Sequence, residues 1–195
     1  VYVLNKKLKI IGNVIDLGID ERIYSVRFLN NLAYVVTFRE IDPFYIIDLS
    51  IPTHPKLKGQ LKIPGYSSYL HPLSINKILG VGMELGKVKL SLFDVSNPNN
   101  PIEVSKFLLD DYSSDVLSDH HAFLHDPKHH ALFIPAASGG YVFSYTNNQP
   151  FLVAKVRLPN VKRAVYLNDY LYVISDDLIA VIDEYNWNEV KRMSL

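Results

Sequence analysis

Phe44-Tyr45-Ile46-Ile47-Asp48-Leu49-Ser50 recurs 46 residues later as Leu90-Ser91-Leu92-Phe93-Asp94-Val95-Ser96. Each copy runs into a proline turn at the same offset, Pro52-Thr53-His54-Pro55 and then Pro98-Asn99-Asn100-Pro101. A second pair is Phe28-Leu29-Asn30-Asn31-Leu32-Ala33-Tyr34-Val35-Val36-Thr37 and Tyr166-Leu167-Asn168-Asp169-Tyr170-Leu171-Tyr172-Val173-Ile174-Ser175. These copies stand 138 residues apart, three periods of 46. A fixed period of this length marks a repeat architecture.

The repeat unit reads as four short strands. Runs of β-branched and aromatic residues are bounded by Asn, Gly, Pro and Asp. In the first full unit the strands fall near 22–29, 32–38, 44–49 and 56–63, with a tight turn at Asn30-Asn31. Asn tolerates the positive φ such a hairpin needs, and the Asp or Ser of the Asp-x-Ser-x-Pro-x-x-Pro loop can accept nearby backbone amides. The expected fold is all-β, a β-propeller of about four four-stranded blades of ~46 residues. The blades are placed at 20–65, 66–115, 116–160 and 161–195, preceded by a half-blade hairpin at 1–19. No 3.6-residue apolar pattern is held for three turns, so no amphipathic helix is expected.

A propeller closes when its first and last blades meet, which removes open sheet edges. A chain that opens mid-blade is expected to belong to a larger propeller, completed by another chain or by an N-terminal part not included here. Closure of four blades with a redundant hairpin is the alternative.

Composition removes several function classes. Lys plus Arg is 20 and Asp plus Glu is 20, for a net charge of zero. Nucleic-acid binders carry a basic excess, so no nucleic-acid partner is expected. Hydrophobic residues make up 48% of the chain, yet they are scattered in short runs. None approaches the roughly 20 residues of a membrane-spanning helix. Cysteine is absent, which excludes disulfides, thiolate catalysis and cysteine-ligated metals.

Several runs carry a family likeness: Tyr34-Val35-Val36-Thr37-Phe38-Arg39, Asp42-Pro43, Ile63-Pro64-Gly65-Tyr66-Ser67-Ser68-Tyr69-Leu70-His71-Pro72 and His120-His121-Ala122-Phe123-Leu124. They resemble secreted archaeal and bacterial proteins that carry a C-terminal beta-propeller domain. The Asp-x-Ser-x-Pro-x-x-Pro turns are also similar to those of LVIVD-repeat surface propellers. The resemblance implies an extracellular or cell-surface protein longer than this chain. The family has no settled activity, so no catalytic residue is carried over.

Histidine is where chemistry would show. Five of the seven lie between positions 120 and 130, among Asp115, Asp119 and Asp126. Histidine with carboxylate suits zinc, copper or non-haem iron. On a strand, His120 and His121 would point to opposite faces. His125, His129 and His130 fall in or beside a turn, where solvated histidines are ordinary. Aligning the innermost strands places Ser25, His71, His121 and Arg163 at equivalent positions, beside Tyr24, Tyr69, His120 and Lys162. The channel-mouth ligand patch is therefore expected from Tyr24, Tyr69, His71, His121, Lys162 and Arg163. A divalent metal, if one binds, is assigned to His71, Asp119, His120 and His121. No other cofactor is expected. The paired acids Asp110-Asp111 and Asp176-Asp177 lack calcium-loop spacing, and Gly139-Gly140 precedes a strand, as a hairpin turn does. Tyr66, Tyr69, Tyr112 and Trp187 are candidate stacking surfaces for a sugar or protein ligand.

The expected function is a non-catalytic binding or scaffold module, secreted or at the cell surface, with a protein or carbohydrate ligand. Two alternatives stand beside it. One is a metal-dependent propeller enzyme with a histidine site, and the other is a structural subunit of an extracellular assembly.

Overall fold

The structure, a computed structural model, describes residues 1–38, 42–145 and 149–195, with Asp42 described by its backbone alone. Arg39, quoted for the family likeness, and residues 39–41 and 146–148 of the 20–65 and 116–160 segments lie outside that description. The chain forms two compact units, one of residues 1–85 and 89–106, the other of residues 86–88 and 107–195.

The first unit opens with a hairpin of β1 (Tyr2–Leu4) and β2 (Ile10–Asn13). A four-stranded sheet follows, β3 (Arg22–Leu29), β4 (Leu32–Phe38), β5 (Asp42–Asp48) and β6 (Lys56–Ile63), paired in that order. The second sheet is β7 (Tyr66–Ser74), β8 (Lys77–Glu84), β9 (Lys87–Asp94) and β10 (Ile102–Leu108). The third is β11 (Leu124–Asp126), β12 (Ala131–Ala136), β13 (Gly139–Ser144) and β14 (Phe151–Val156). The fourth is β15 (Arg163–Leu167), β16 (Tyr170–Ile174), β17 (Leu178–Asp183) and β18 (Glu189–Ser194). The fold is an all-β propeller, each four-stranded sheet a blade in chain order. Among the described residues no helix is long and apolar enough to cross a membrane.

The middle strands explain why the blades stack. Alternate side chains of a strand point to opposite faces. On β4 and β5 both faces are apolar. Tyr34 lies opposite Ile46 and Val36 opposite Phe44, and these four join Leu70, Ile78, Phe93 and Val95 of the second sheet. The Phe44 and Phe93 rings stack at 4.7 Å. On the other face Ala33 opposes Ile47 and Val35 opposes Tyr45, and the cluster is completed by Val1, Val14, Leu17 and Leu49. Each such fully buried aliphatic or aromatic side chain contributes about 1.5–3 kcal/mol. In the second unit the third and fourth sheets share Phe133, Val142, Val156, Leu171, Val173, Ala180 and Ile182.

The loop chemistry follows the sequence. Asp48 Oδ1 accepts the Ser50 amide at 2.8 Å, and Asp94 Oδ1 accepts the Ser96 amide at 2.9 Å. The hairpin turns place Asn30 and Asn168 at positive φ, as expected of asparagine. The proline turns then lie against glycine. A Cβ on Gly12 would press into the Pro52 carbonyl oxygen, and one on Gly59 into the Pro98 carbonyl oxygen. Repeat-equivalent glycines thus admit the next proline loop at backbone distance.

That close approach sets a test. Gly59→Ala is expected to destabilise the first unit by about 1–3 kcal/mol, the ordinary cost of overpacking, read from urea denaturation midpoints. An unchanged midpoint would mean that the Pro98 loop yields freely.

Candidate functional site

The residues singled out from sequence are divided between the two units. In the first unit, Tyr24 of β3 packs its ring 4.4 Å from that of Tyr66 and 5.7 Å from that of Phe38. On β7, the Tyr69 hydroxyl lies 3.0 Å from His71 Nδ1, and burial raises the Tyr69 pKa. Ser25 Oγ donates to the Ser67 carbonyl at 2.8 Å, tying β3 to β7.

In the second unit, Asp119, His120 and His121 do come together, but not on a strand. His120–Ala122 form a 3-10 turn. Asp119 Oδ1 accepts the His121 backbone N–H at 2.9 Å and also lies 2.9 Å from His121 Nδ1. The two imidazoles lie side by side, 3.9 Å between centroids. This corrects the strand assignment of His120 and His121, and with it the equivalence of His121 to His71. The physical reason is capping. Ser114 caps the preceding turn, Asp115–Leu117, and Asp119 caps the next. The chain is thereby held in turns until β11 begins at Leu124. All three side chains face solvent, and the bonds from the His121 amide and ring hold the Asp119 carboxyl below its usual pKa.

Lys162 pairs with Asp176 at 3.7 Å, both half-exposed, so the pair contributes little. Lys162 also lines a hollow of about 160 Å³ with Ser113, Ser114, Asp115 and Asn160. That is smaller than the roughly 300–1,000 Å³ of ordinary ligand pockets. Arg163 opens β15 and is exposed. Of the aromatic candidates, Tyr112 is exposed, whereas Trp187 packs against the core of the second unit.

The most unusual cluster is one that the sequence did not announce. Asp126 ends β11, His129 sits in the β11–β12 turn, and Glu184 follows β17. Asp126 and Glu184 are buried, and the His129 side chain is nearly so, against the expectation of a solvated turn histidine. His129 Nδ1 lies 2.6 Å from Asp126 Oδ2 and 3.4 Å from Glu184 Oε2. On its other side, His129 Nε2 lies 3.1 Å from Asp169 Oδ1, which also accepts from Lys128 Nζ at 2.5 Å and Tyr185 OH at 3.2 Å. Glu184 is 3% exposed, and neither of its oxygens has a hydrogen-bond partner. Burial, and next the charge of Asp126, push its pKa up to about 7. Burial opposes charging of His129, but the surrounding carboxylates win and its pKa is raised.

The repeat contained a signal for Glu184. Leu49, Val95, Tyr145 and Glu184 each donate their backbone N–H to a hairpin-turn carbonyl, of Asn31, Asn76, His130 and Asp169 respectively. One structural position therefore holds Leu, Val, Tyr and Glu in successive blades. A buried carboxylate at the position that holds buried Val95 and half-buried Leu49 and Tyr145 is the mark that alignment could have flagged.

A second buried carboxylate is fully satisfied. Asp111 accepts Ser138 Oγ–H, Tyr141 OH at 2.7 Å and the Ser138 amide at 3.1 Å, with Lys155 Nζ 3.9 Å away. It belongs to the architecture of the second unit.

Against this geometry, the family model for the beta propeller domain matches residues 1–186. The chain belongs to the beta propeller domain family. It is 48% identical to an uncharacterized protein of Archaeoglobus fulgidus over 194 residues, covering 100% of this chain and 31% of that protein. It is 44% identical to an uncharacterized protein of Methanocaldococcus jannaschii over 195 residues, covering 99% of this chain and again 31% of the relative. The chain thus spans about a third of the length of these relatives. Their kinship fits an archaeal propeller family without an assigned activity, as the sequence resemblance implied.

Two outcomes follow. Burial works against ionisation of Asp111, yet its hydroxyl and amide donors and Lys155 outweigh it, so the folded pKa lies below the unfolded value of about 3.9. The ionised form therefore favours the fold above that value, and its contribution is lost as pH falls through the folded pKa. Melting temperatures from pH 7 to pH 2 should show Asp111→Asn well below wild type near neutrality, the gap closing in acid. A pH-independent gap would remove the ionic origin. Replacing exposed His121 by Ala should change stability by less than about 0.5 kcal/mol in a urea titration. A larger loss would show that the Asp119 pair carries structural weight.

Proposed function

We propose that this propeller domain is a non-catalytic binding and scaffold module, secreted or held at the cell surface, whose blade stack continues into further blades of the same longer protein. The observation that carries it is the unequal treatment of two blade faces. The first sheet has apolar residues on both faces of its middle strands, and both are covered. The fourth sheet covers one face, with Leu171, Val173, Ala180 and Ile182 against the third sheet. Its other face leaves a groove of about 340 Å³ lined by Tyr170, Tyr172, Val181, Val190, Lys191 and Met193.

A middle strand that is apolar on both sides gains full burial only with a sheet on each side. The relatives provide ample chain for one, since this segment spans 31% of their length. A further blade of the same protein is therefore the occupant of choice. A different chain, as in an extracellular assembly, would leave the face equally dry but would show as a second component. Carbohydrate and protein ligands would then meet the loops and the innermost strands, where Ile23, Phe28 and Tyr166 are exposed. The histidine-enzyme alternative has weaker support, because Asp119, His120 and His121 lie open to water, where charge stabilisation is screened.

Two measurements test this. Hydrogen exchange at β16–β18 should be slower in the full-length protein than in this 195-residue chain, with native mass spectrometry showing a single polypeptide. Equal exchange in both, or a required second polypeptide, would overturn the continuing stack. Brief protease treatment of intact archaeal cells should release peptides of this domain ahead of cytosolic markers; release only after lysis would overturn the surface location.

A further inference from the structure

Asp126, His129 and Glu184 present donors of three elements to one point, all within 4.8 Å of one another. Isolated buried carboxylates are costly, and they are ordinarily paired, hydrogen-bonded or bound to metal. Asp126 has the His129 ring and the Lys128 amide, which donates to its Oδ1 at 2.8 Å. Glu184 is different, because both of its oxygens are buried and accept no hydrogen bond, with His129 Nδ1 beside Oε2 at 3.4 Å. Nor can a water serve them. The space between Asp126 and Glu184 is walled by Leu124, Ala131, Leu132, Phe133, Val142 and Leu171, and has no room for a water molecule.

We propose that Asp126, His129 and Glu184 bind a first-row divalent transition ion, with Zn²⁺ as the reference case, which braces the third blade against the fourth. The site goes beyond the scaffold function and does not depend on it. Three residues offer donors: Asp126 Oδ2, His129 Nδ1 and the Glu184 carboxylate, which can bind through one oxygen or, at a narrower angle than a regular tetrahedron, through both. A tetrahedral ion with bonds of about 2.0–2.2 Å spaces its donors by roughly 3.3–3.5 Å. His129 Nδ1 now stands 2.6 Å from Asp126 and 3.4 Å from Glu184, so these two spacings lie within about an ångström of that range. A bare ion is smaller than the water that this space excludes.

Charge and tautomer agree with the assignment. Two carboxylates and a neutral imidazole neutralise a divalent cation in a site with apolar walls. His129 must offer Nδ1 unprotonated, which requires its proton on Nε2. Asp169 is placed to accept that Nε2–H at 3.1 Å, and Lys128 and Tyr185 hold Asp169 in position. This carboxylate behind the histidine is the outer support that metal-bound imidazoles commonly have. One imidazole with two carboxylates suits Zn²⁺ or Mn²⁺. Ca²⁺ and Mg²⁺ require more oxygen ligands or retained waters than this space admits.

The competing occupant is a proton on the Asp126–Glu184 pair, and the experiment separates the two. Chelator-treated full chain is titrated with ZnCl₂ and followed by native mass spectrometry and thermal melting. The expected result is one ion per chain and a melting temperature that rises with Zn²⁺ concentration. Glu184→Gln, confirmed folded by far-UV circular dichroism, should bind Zn²⁺ at least ten-fold more weakly. The double replacement His120→Ala with His121→Ala should bind as wild type does. Co²⁺ in the unaltered chain gives a readout free of any folding defect, the intense visible absorption of a four-coordinate site. Failure of wild type to retain Zn²⁺ would overturn the proposal in favour of the proton. A weak six-coordinate Co²⁺ spectrum, or binding lost with His120 and His121 but kept by Glu184→Gln, would overturn it in favour of the exposed histidines.

Discussion

Burial of the middle strands on both faces is the constraint from which the architecture follows. On β4 and β5 there is no polar side for water to cover; one register of side chains belongs to the second sheet and the other to the opening hairpin and its flanking residues. Ordinary antiparallel sheets escape this demand by alternating apolar and polar residues. β4 and β5 cannot, so the first sheet is buried as one layer between neighbours. Gly12 and Gly59 serve the same end at the sheet margins, letting the Pro52 and Pro98 loops approach to backbone distance.

Stacking identical layers would yield a uniform object, and one backbone bond recurs inside every layer. In each blade the residue after the third strand donates its N–H to the first hairpin turn, from Leu49 to Asn31 and from Glu184 to Asp169. The backbone at this point is fixed by the turn, and only the side chain changes.

The same division explains what could be read from the sequence. Asp48-x-Ser50, Asp94-x-Ser96 and the Asn turns announce themselves because their chemistry is local, completed within two residues. The strand runs are legible for the same reason. The strand pattern does not hold at His120 and His121, because Ser114 and Asp119 cap successive turns there. The buried cluster was invisible as a cluster because Asp126 and His129 meet Glu184 only when the third and fourth blades pack. The histidines are densest in the exposed group, whereas the informative residue is a glutamate in the place of Leu49 and Val95.

That replacement also bears on how a repeat protein acquires a specific site. At Val95 the side chain is buried in apolar contact and needs nothing further. A carboxylate at the same position forfeits about 1.5–3 kcal/mol of apolar burial and adds several more for desolvation of the charge. Removing its charge by protonation recovers the second loss but not the first. A bound cation recovers more, since it converts two carboxylates that repel each other into a bridge between sheets. The neighbours are consistent with such compensation: Lys128 and Tyr185 both donate to Asp169, which meets His129 Nε2 and leaves Nδ1 toward Asp126 and Glu184. In a fold built from near-identical layers, function is carried where one layer departs from the others and its neighbours are arranged around the departure.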